Sequence, residues 1–229
     1  KLAVAILDQQ REELPPNALR SLDTLQSQLT RFDALLSDLL EISRYDAGAV
    51  TAEFETTDLN GVVGMALAQI EPLASSRSCN LVIDIPSGPV NAELDARRIE
   101  RVLRNLLSNA IEHGQGKPIE VRVGASETAV AVTVTDQGVG MSRTELDRVF
   151  DRFWRADPAR KRTVGGTGLG LSIATEDTNI HNGWLQATSK PGEGSTFRLT
   201  LPRNQGVLFT QSPLPLATKK AAAKKDGAK

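Results

Sequence analysis

Three polar motifs, in a fixed order and each on a different kind of local structure, constrain this chain most. Asn105-Leu106-Leu107-Ser108-Asn109 sits inside an apolar helical pattern. Its two amides are four residues apart and so share one helix face. Asp136-Gln137-Gly138-Val139-Gly140 then follows an alternating apolar stretch, so a carboxylate ends a strand at a glycine turn. About thirty residues on, Gly166-Thr167-Gly168-Leu169-Gly170-Leu171 runs straight into a helical pattern. A carboxylate suits the amine edge of a base. A glycine-rich loop opening a helix suits phosphate, and amide oxygens suit a hard metal ion. Together they describe a nucleotide site.

The 229 residues allow one sizeable domain plus an appendage, and 40% hydrophobic content allows a normal core. A net charge of −1 gives no global bias toward nucleic acid or a membrane surface. One cysteine, Cys79, excludes an internal disulfide framework and fits a reducing compartment. Its ordinary reading is a small buried side chain. No apolar run approaches the roughly twenty residues of a membrane span. The opening, Lys1-Leu2-Ala3-Val4-Ala5-Ile6-Leu7, reads as mid-helix, so the chain is expected to be a piece of something longer.

Residues 1–13 read as the end of an amphipathic helix, broken by Leu14-Pro15-Pro16-Asn17. A long helix to about Asp46 carries Leu22, Leu25, Leu29, Phe32, Leu36 and Leu39 in alternating steps of three and four, a heptad seam widened by Leu35 and Leu40. After Ala47-Gly48-Ala49 the pattern becomes mixed α/β. Strands are expected at 50–54, 80–85, 90–94, 119–123 and 129–135, and a hairpin at 184–189 and 195–201. Helices are expected from a cap at Asp58 through Ala74, from a cap at Asp95 to Glu112, and from Gly168 to about His181. The domains predicted are 1–48, a partial helical region; 49–203, the α/β domain; and 204–229, a low-complexity tail. That tail ends in Lys219-Lys220-Ala221-Ala222-Ala223-Lys224-Lys225 and reads as solvated and disordered.

Asp136 can accept from an exocyclic amine such as N6 of adenine, and Gly138 and Gly140 let backbone approach a ligand; an ordinary Asp-x-Gly turn is the plain alternative. Asn109 can lend its oxygen to Mg²⁺ beside phosphate oxygens, or the two amides can simply hydrogen-bond near the helix end. His113, four residues past Asn109, can meet a phosphate or ribose, or can merely pack. The glycine-rich loop is not a Walker loop, since no Gly-Lys-Ser/Thr follows, nor a dinucleotide fingerprint. Arg160, Lys161 and Arg162 precede it and can meet phosphates from a lid. Phe150 and Phe153 can lock a short helix against the core, leaving Arg152 and Arg155 for ligand or lid.

These motifs resemble those of the sensor histidine kinases of two-component systems. Asn105–His113 looks like the N box, Asp136–Gly140 the G1 box, Phe150–Arg155 the F box and Gly166–Leu171 the G2 box. Gly192–Phe197, with Thr196, is similar to the terminal glycine element near adenine, and Asp38–Gly48 to the end of the second dimerisation helix. The segments Arg152–Pro158 and Ser212–Leu216 look most like an actinobacterial branch. The resemblance spans about Asn17 to Pro202. It implies an α+β fold: a two-layer α/β sandwich, a mixed sheet with helices on one face, preceded by a helical-hairpin dimerisation segment. It further implies Mg²⁺-ATP, with Asp136 reading adenine and Asn109 holding the metal. Asn105, His113, Gly138, Gly140, Phe153, Arg155, Arg160, Lys161, Arg162, Gly166, Thr167, Gly168, Leu169, Gly170 and Thr196 would line the nucleotide. The γ-phosphoryl group would pass to a histidine and then to a response-regulator aspartate. A homodimer through the helical region and a cytoplasmic location, with a plasma-membrane anchor upstream, belong to the same expectation; nucleic acid does not.

Two departures stand out. The family's His-Glu-Leu-Arg-Thr-Pro phosphoacceptor motif is absent, and neither His113 nor His181 has that setting, so no catalytic residue is assigned. Glu112 stands where many members carry a lysine. Two other readings remain: an ATPase of the same superfold, gyrase- or chaperone-like, with an acid on the N-box helix, and a nucleotide-responsive binding module.

Overall fold

The computed structural model describes residues 2–11, 14–155 and 167–216, and the chain divides into two units, 1–50 and 51–229. The first unit is helical. α1 (Leu2–Gln9) leads through the proline breaker to α2 (Pro16–Asp46), which opens with proline in its first turn, where no N–H is needed. Within this unit Arg11 pairs with Asp8 at 3.0 Å and also with Asp23 of α2. The heptad seam stands largely open: Leu25, Phe32, Leu36 and Leu39 are 50, 57, 43 and 43% exposed.

The second unit is built on a five-stranded mixed sheet in the order β2-β4-β5-β7-β6. Its strands are β2 (Leu81–Asp84), β4 (Ile119–Ala125), β5 (Ala129–Thr135), β6 (Trp184–Lys190) and β7 (Gly194–Pro202). β2 runs parallel to β4, and every other pairing is antiparallel. A separate pair, β1 (Glu55–Asp58) and β3 (Asn91–Leu94), flanks α3 (Leu59–Ser76). α3, α4 (Ala96–His113) and α6 (Gly170–Ile180) form the helical layer, and α5 (Arg143–Leu146) is a single turn. The expected caps are in place: Asp58 accepts from the Asn60 N–H and Asp95 from the Arg98 N–H. Ile99, Val102, Leu103, Leu106 and Leu107 of α4 are buried with Val121, Val132, Val134, Phe197 and Leu199 in one core.

Three expectations change. Residues 50–54 are not a strand, because side chains take up their backbone groups: the Arg98 guanidinium donates to the Thr51 carbonyl at 3.0 Å, and the Glu53 N–H donates to the Asp95 carboxylate at 3.1 Å. The strand forms one step later, at Glu55. Phe150 does pack edge-on against Phe197, but 147–155 is turn and coil, and Phe153 points outward, 60% exposed, with φ of +62°.

The third change concerns the far face of the sheet. Residues 204–216, expected to be part of a disordered tail, form a strap across it. Gly124, Ala131, Thr200 and Trp184 share one row of that face by register. Leu214 lies over Gly124, the Ser212 and Thr200 hydroxyls meet at 2.9 Å, and Phe209 packs on Trp184 with centroids 4.4 Å apart. Beneath the strap Arg198 donates to the Leu214 carbonyl and to Gln186. β5, expected to be half-buried, is therefore buried on both faces. A Cβ at Gly124 would come within 2.7 Å of the Leu214 methyl, so the glycine makes the seat for that side chain. Residues 217–229 lie outside the described part.

Candidate functional site

The site starts from Asp136, placed by the end of β5. It is 3% exposed; its Oδ1 accepts the Gly138 N–H at 2.8 Å, and its own N–H donates to the Ser195 carbonyl. Burial pushes its pKa up, against the pull of backbone hydrogen bonds at Gly138 and Ser195 and of the His113 charge. No salt bridge reaches it among the described residues. A carboxylate with that much desolvation to offset is a strong acceptor for a ligand N–H. Next to it the Thr196 hydroxyl, in a residue 2% exposed, meets the Thr135 hydroxyl at 3.0 Å.

The glycines of this turn serve the protein first. A Cβ on Gly138 would lie 1.9 Å from the His113 carbonyl oxygen, and one on Gly140, where φ is +64°, 1.9 Å from that of Lys190. A Cβ on Gly194, at φ of +96°, would strike the Asp136 carbonyl. The loop is thus wedged between the C-terminus of α4 and the β6–β7 turn. That close backbone packing, rather than room for a ligand, is what requires glycine here.

On α4, Asn105 is partly buried and its Nδ2 donates to the Gly170 carbonyl at 2.9 Å. The amide expected near phosphates is therefore fastened to the glycine loop. Asn109 lies one turn further on the same face, partly buried. His113 and Glu112 are exposed, and the His113 backbone carbonyl accepts the Val139 N–H. Across from them the loop enters α6. The Leu169 N–H donates to the Thr167 hydroxyl, Leu169 is fully buried, and Gly168 takes φ of +75° against the Phe153 backbone, whose N–H donates to the Gly168 carbonyl at 3.0 Å. α3, α4 and α5 each have a side-chain cap, α5 with a full capping box; α6 has none among the described residues. A helix start of this kind can receive an anion.

Arg155 is exposed, and Arg152 is turned to Glu176 at 3.2 Å. Arg160, Lys161, Arg162 and Gly166 lie outside the described residues. Among the described residues no cluster of three or more histidine, cysteine or acidic side chains could hold a metal. A metal here would rest on an amide oxygen and on the nucleotide's own phosphates. Sequence reading missed Lys117, whose ammonium donates to the Gln137 carbonyl at 2.8 Å and holds the turn after Asp136, while its own carbonyl accepts from the Cys79 thiol. No local pattern marks Lys117, because its partner lies twenty residues away.

A helix bearing paired amides, a strand-end carboxylate and an uncapped helix behind a glycine loop, on a sheet with one helical layer, define a class. Residues 94–205 match the family of histidine kinase-, DNA gyrase B- and HSP90-like ATPases, and the chain belongs to that family. Within it the chain is of the sensor histidine kinase kind. It is 48% identical over 216 residues, 94% of this chain, to the sensor histidine kinase MtrB of Mycobacterium tuberculosis. It is 35% identical over 179 residues, 78% of this chain, to the signal transduction histidine-protein kinase AfsQ2 of Streptomyces coelicolor. The chain spans 38% of the MtrB relative and 32% of AfsQ2. The fold is shared with full-length ShkA, solved in complex with AMPPNP: TM-score 0.70 at 21% identity, covering 86% of this chain and 40% of that one. Among the described residues no helix is long and apolar enough to cross a membrane.

Proposed function

We propose that this chain is the ATP-binding catalytic portion of a sensor histidine kinase of the MtrB type, which transfers the γ-phosphoryl group of ATP to a histidine supplied by another part of the protein and from there to a response-regulator aspartate. The observation that carries the reading is Asp136, a buried carboxylate at a strand end that accepts from backbone N–H and faces no salt-bridge partner among the described residues. Ionised, it accepts the adenine N6 amine. The first turn of α6 receives phosphate oxygens, and Thr196 supports the Asp136 edge of the base. Asn109 would give Mg²⁺ an oxygen ligand, and the metal would neutralise phosphate charge. Asn105 acts indirectly, by holding the Gly170 carbonyl so that the N–H groups of α6 face the phosphates. Phosphoryl transfer asks mainly for such positioning and neutralisation.

The exposed seam of α2 supports dimerisation through the helical unit. Similarity to MtrB over 94% of the chain supports a cytoplasmic place in a membrane-anchored sensor. Arg155, Arg160, Lys161, Arg162, Gly166 and Phe153 belong to the proposed nucleotide-binding set, with Arg160, Lys161 and Arg162 meeting phosphates. The test is to incubate the chain with ATP labelled at its γ-phosphorus, with and without a helical-hairpin domain carrying the family's phosphoacceptor motif. Label on the acceptor histidine is expected. Steady release of inorganic phosphate with no labelled acceptor would instead establish the ATPase reading, with Glu112 on the face of Asn105 and Asn109 as the first acid to test.

A further inference from the structure

The two helices that carry the nucleotide contacts also meet at a second station. On α4, Arg98, Arg101, Asn105 and Asn109 follow one another in steps of three and four along one face. On α6, Gly170 and Asp177 are seven residues apart on one face. Asn105 meets Gly170, and Arg98 and Arg101 meet Asp177, so the helices run antiparallel with two cross-links about 10 Å apart. The second link is buried. Asp177 is fully buried and takes both a two-pronged bond from Arg101, at 2.8 and 2.8 Å, and one from Arg98 at 3.1 Å.

His181, also fully buried, closes the cluster. Its Nε2 receives the Asp95 backbone N–H at 3.0 Å, so Nδ1 carries the proton and donates to the Asp177 carbonyl at 2.7 Å. The cluster also grips the segment that opens the second unit. Arg98 reaches Asp177 with one nitrogen and the Thr51 carbonyl with another. Asp95 accepts the Glu53 N–H, Arg97 pairs with the Glu53 carboxylate at 2.6 Å, and Phe54 stands edge-on to the His181 ring at 5.2 Å.

We propose that Asp95, Arg98, Arg101, Asp177 and His181 form a positioning clamp that couples nucleotide occupancy to the order of residues 51–54, the stretch that directly follows the helical unit in sequence. The proposal rests on the nucleotide reading above. Nucleotide fixes the spacing of α4 and α6 at the Asn105–Gly170 station. The helices are stiff over seven residues, and the ion pairs at Asp177 resist slip, so the second station must follow. Arg98 then carries that order to the backbone at Thr51, since the same guanidinium bonds both. Linkage requires the converse: tightening 51–54 raises nucleotide affinity by the same factor.

The experiment follows amide exchange at Glu53 by NMR, in the whole chain, without and with saturating Mg²⁺ and a non-hydrolysable ATP analogue whose binding is checked by calorimetry. Exchange is expected to slow about fivefold or more with nucleotide. In Arg98→Lys, which keeps a cation for Asp177 but lacks the fork that spans to Thr51, the nucleotide response should disappear while binding persists. Arg104→Lys, exposed on the same helix, should respond as the unmodified chain does. Binding with no change at Glu53, or an unaltered response in Arg98→Lys, overturns the clamp and leaves the nucleotide reading standing. If Arg98→Lys does not fold, the unmodified chain alone decides. Absence of nucleotide binding overturns both.

Discussion

α4 and α6 carry polar chemistry at both ends of their contact, and the two ends treat it oppositely. At the Gly170 end the groups are neutral and partly open: two amides, glycine backbone, a helix start without a side-chain cap. At the Asp177 end they are charged, buried and saturated by one another. The carboxylates make the same contrast. Asp136 is buried and held by backbone N–H alone, and its pKa rises; Asp177 is buried between two guanidinium groups. Asp177, with its cations, serves the fold, whereas Asp136, without a salt bridge among the described residues, is the acid proposed to take a ligand. The two histidines divide likewise, His113 exposed beside Asp136 and His181 enclosed at the clamp.

Asp177 is where the difference between the two ends should show most strongly. Asp177→Ala leaves Arg98 and Arg101 without their shared anion in a buried setting, and urea unfolding should show a loss of about 3–5 kcal/mol. A loss under 1 kcal/mol, on the scale of a surface pair, would mean that the clamp end is not the structural one. The strap offers a smaller test on the opposite face of the sheet. Leu214→Ala empties the seat over Gly124 and should cost about 2 kcal/mol by the same measurement, with no change in nucleotide affinity. A tail that merely lay in solvent would cost nothing.

The smallest expected effect concerns pH. Burial holds His181 below its ordinary value of 6.5, so the folded chain keeps it neutral while the unfolded chain takes up a proton. Stability should therefore be insensitive to this group above that value and fall as pH drops below it. Replacement by glutamine should flatten that slope in pH-dependent unfolding. An unchanged slope would show that the imidazole is not the group that titrates.

The order and type of most elements were legible in the sequence, because period and capping agree locally: Asp58 and Asp95 begin α3 and α4 as expected, and the 119–135 and 184–202 hairpins form. What escaped reading depends on distant partners. The segment 50–54 looks strand-like, yet its backbone is bonded by side chains of Asp95 and Arg98 more than forty residues away. The strap carries no periodicity of its own, and only the small residue at Gly124 and the row it shares with Ala131 and Thr200 reveal where it lies. Phe153 has the same spacing from Phe150 as a packed helical pair, but its positive φ turns it outward. At the site, the carboxylate, the amides and the glycine loop were all visible as motifs. The structural reasons for Gly138 and Gly140, and the support from Lys117, were not.

Recognition of the nucleotide by Asp136 is the step on which the proposed function stands. Its most direct test is calorimetric titration of a non-hydrolysable ATP analogue, with and without Mg²⁺, into the chain and into Asp136→Asn, at neutral pH and at a pH low enough to protonate the raised carboxyl. Mg²⁺-dependent binding to the unmodified chain is expected, with loss of it in the variant and a weakening on acidification that begins above the ordinary aspartate range. Equal binding by the folded variant, or none by the unmodified chain, would contradict it.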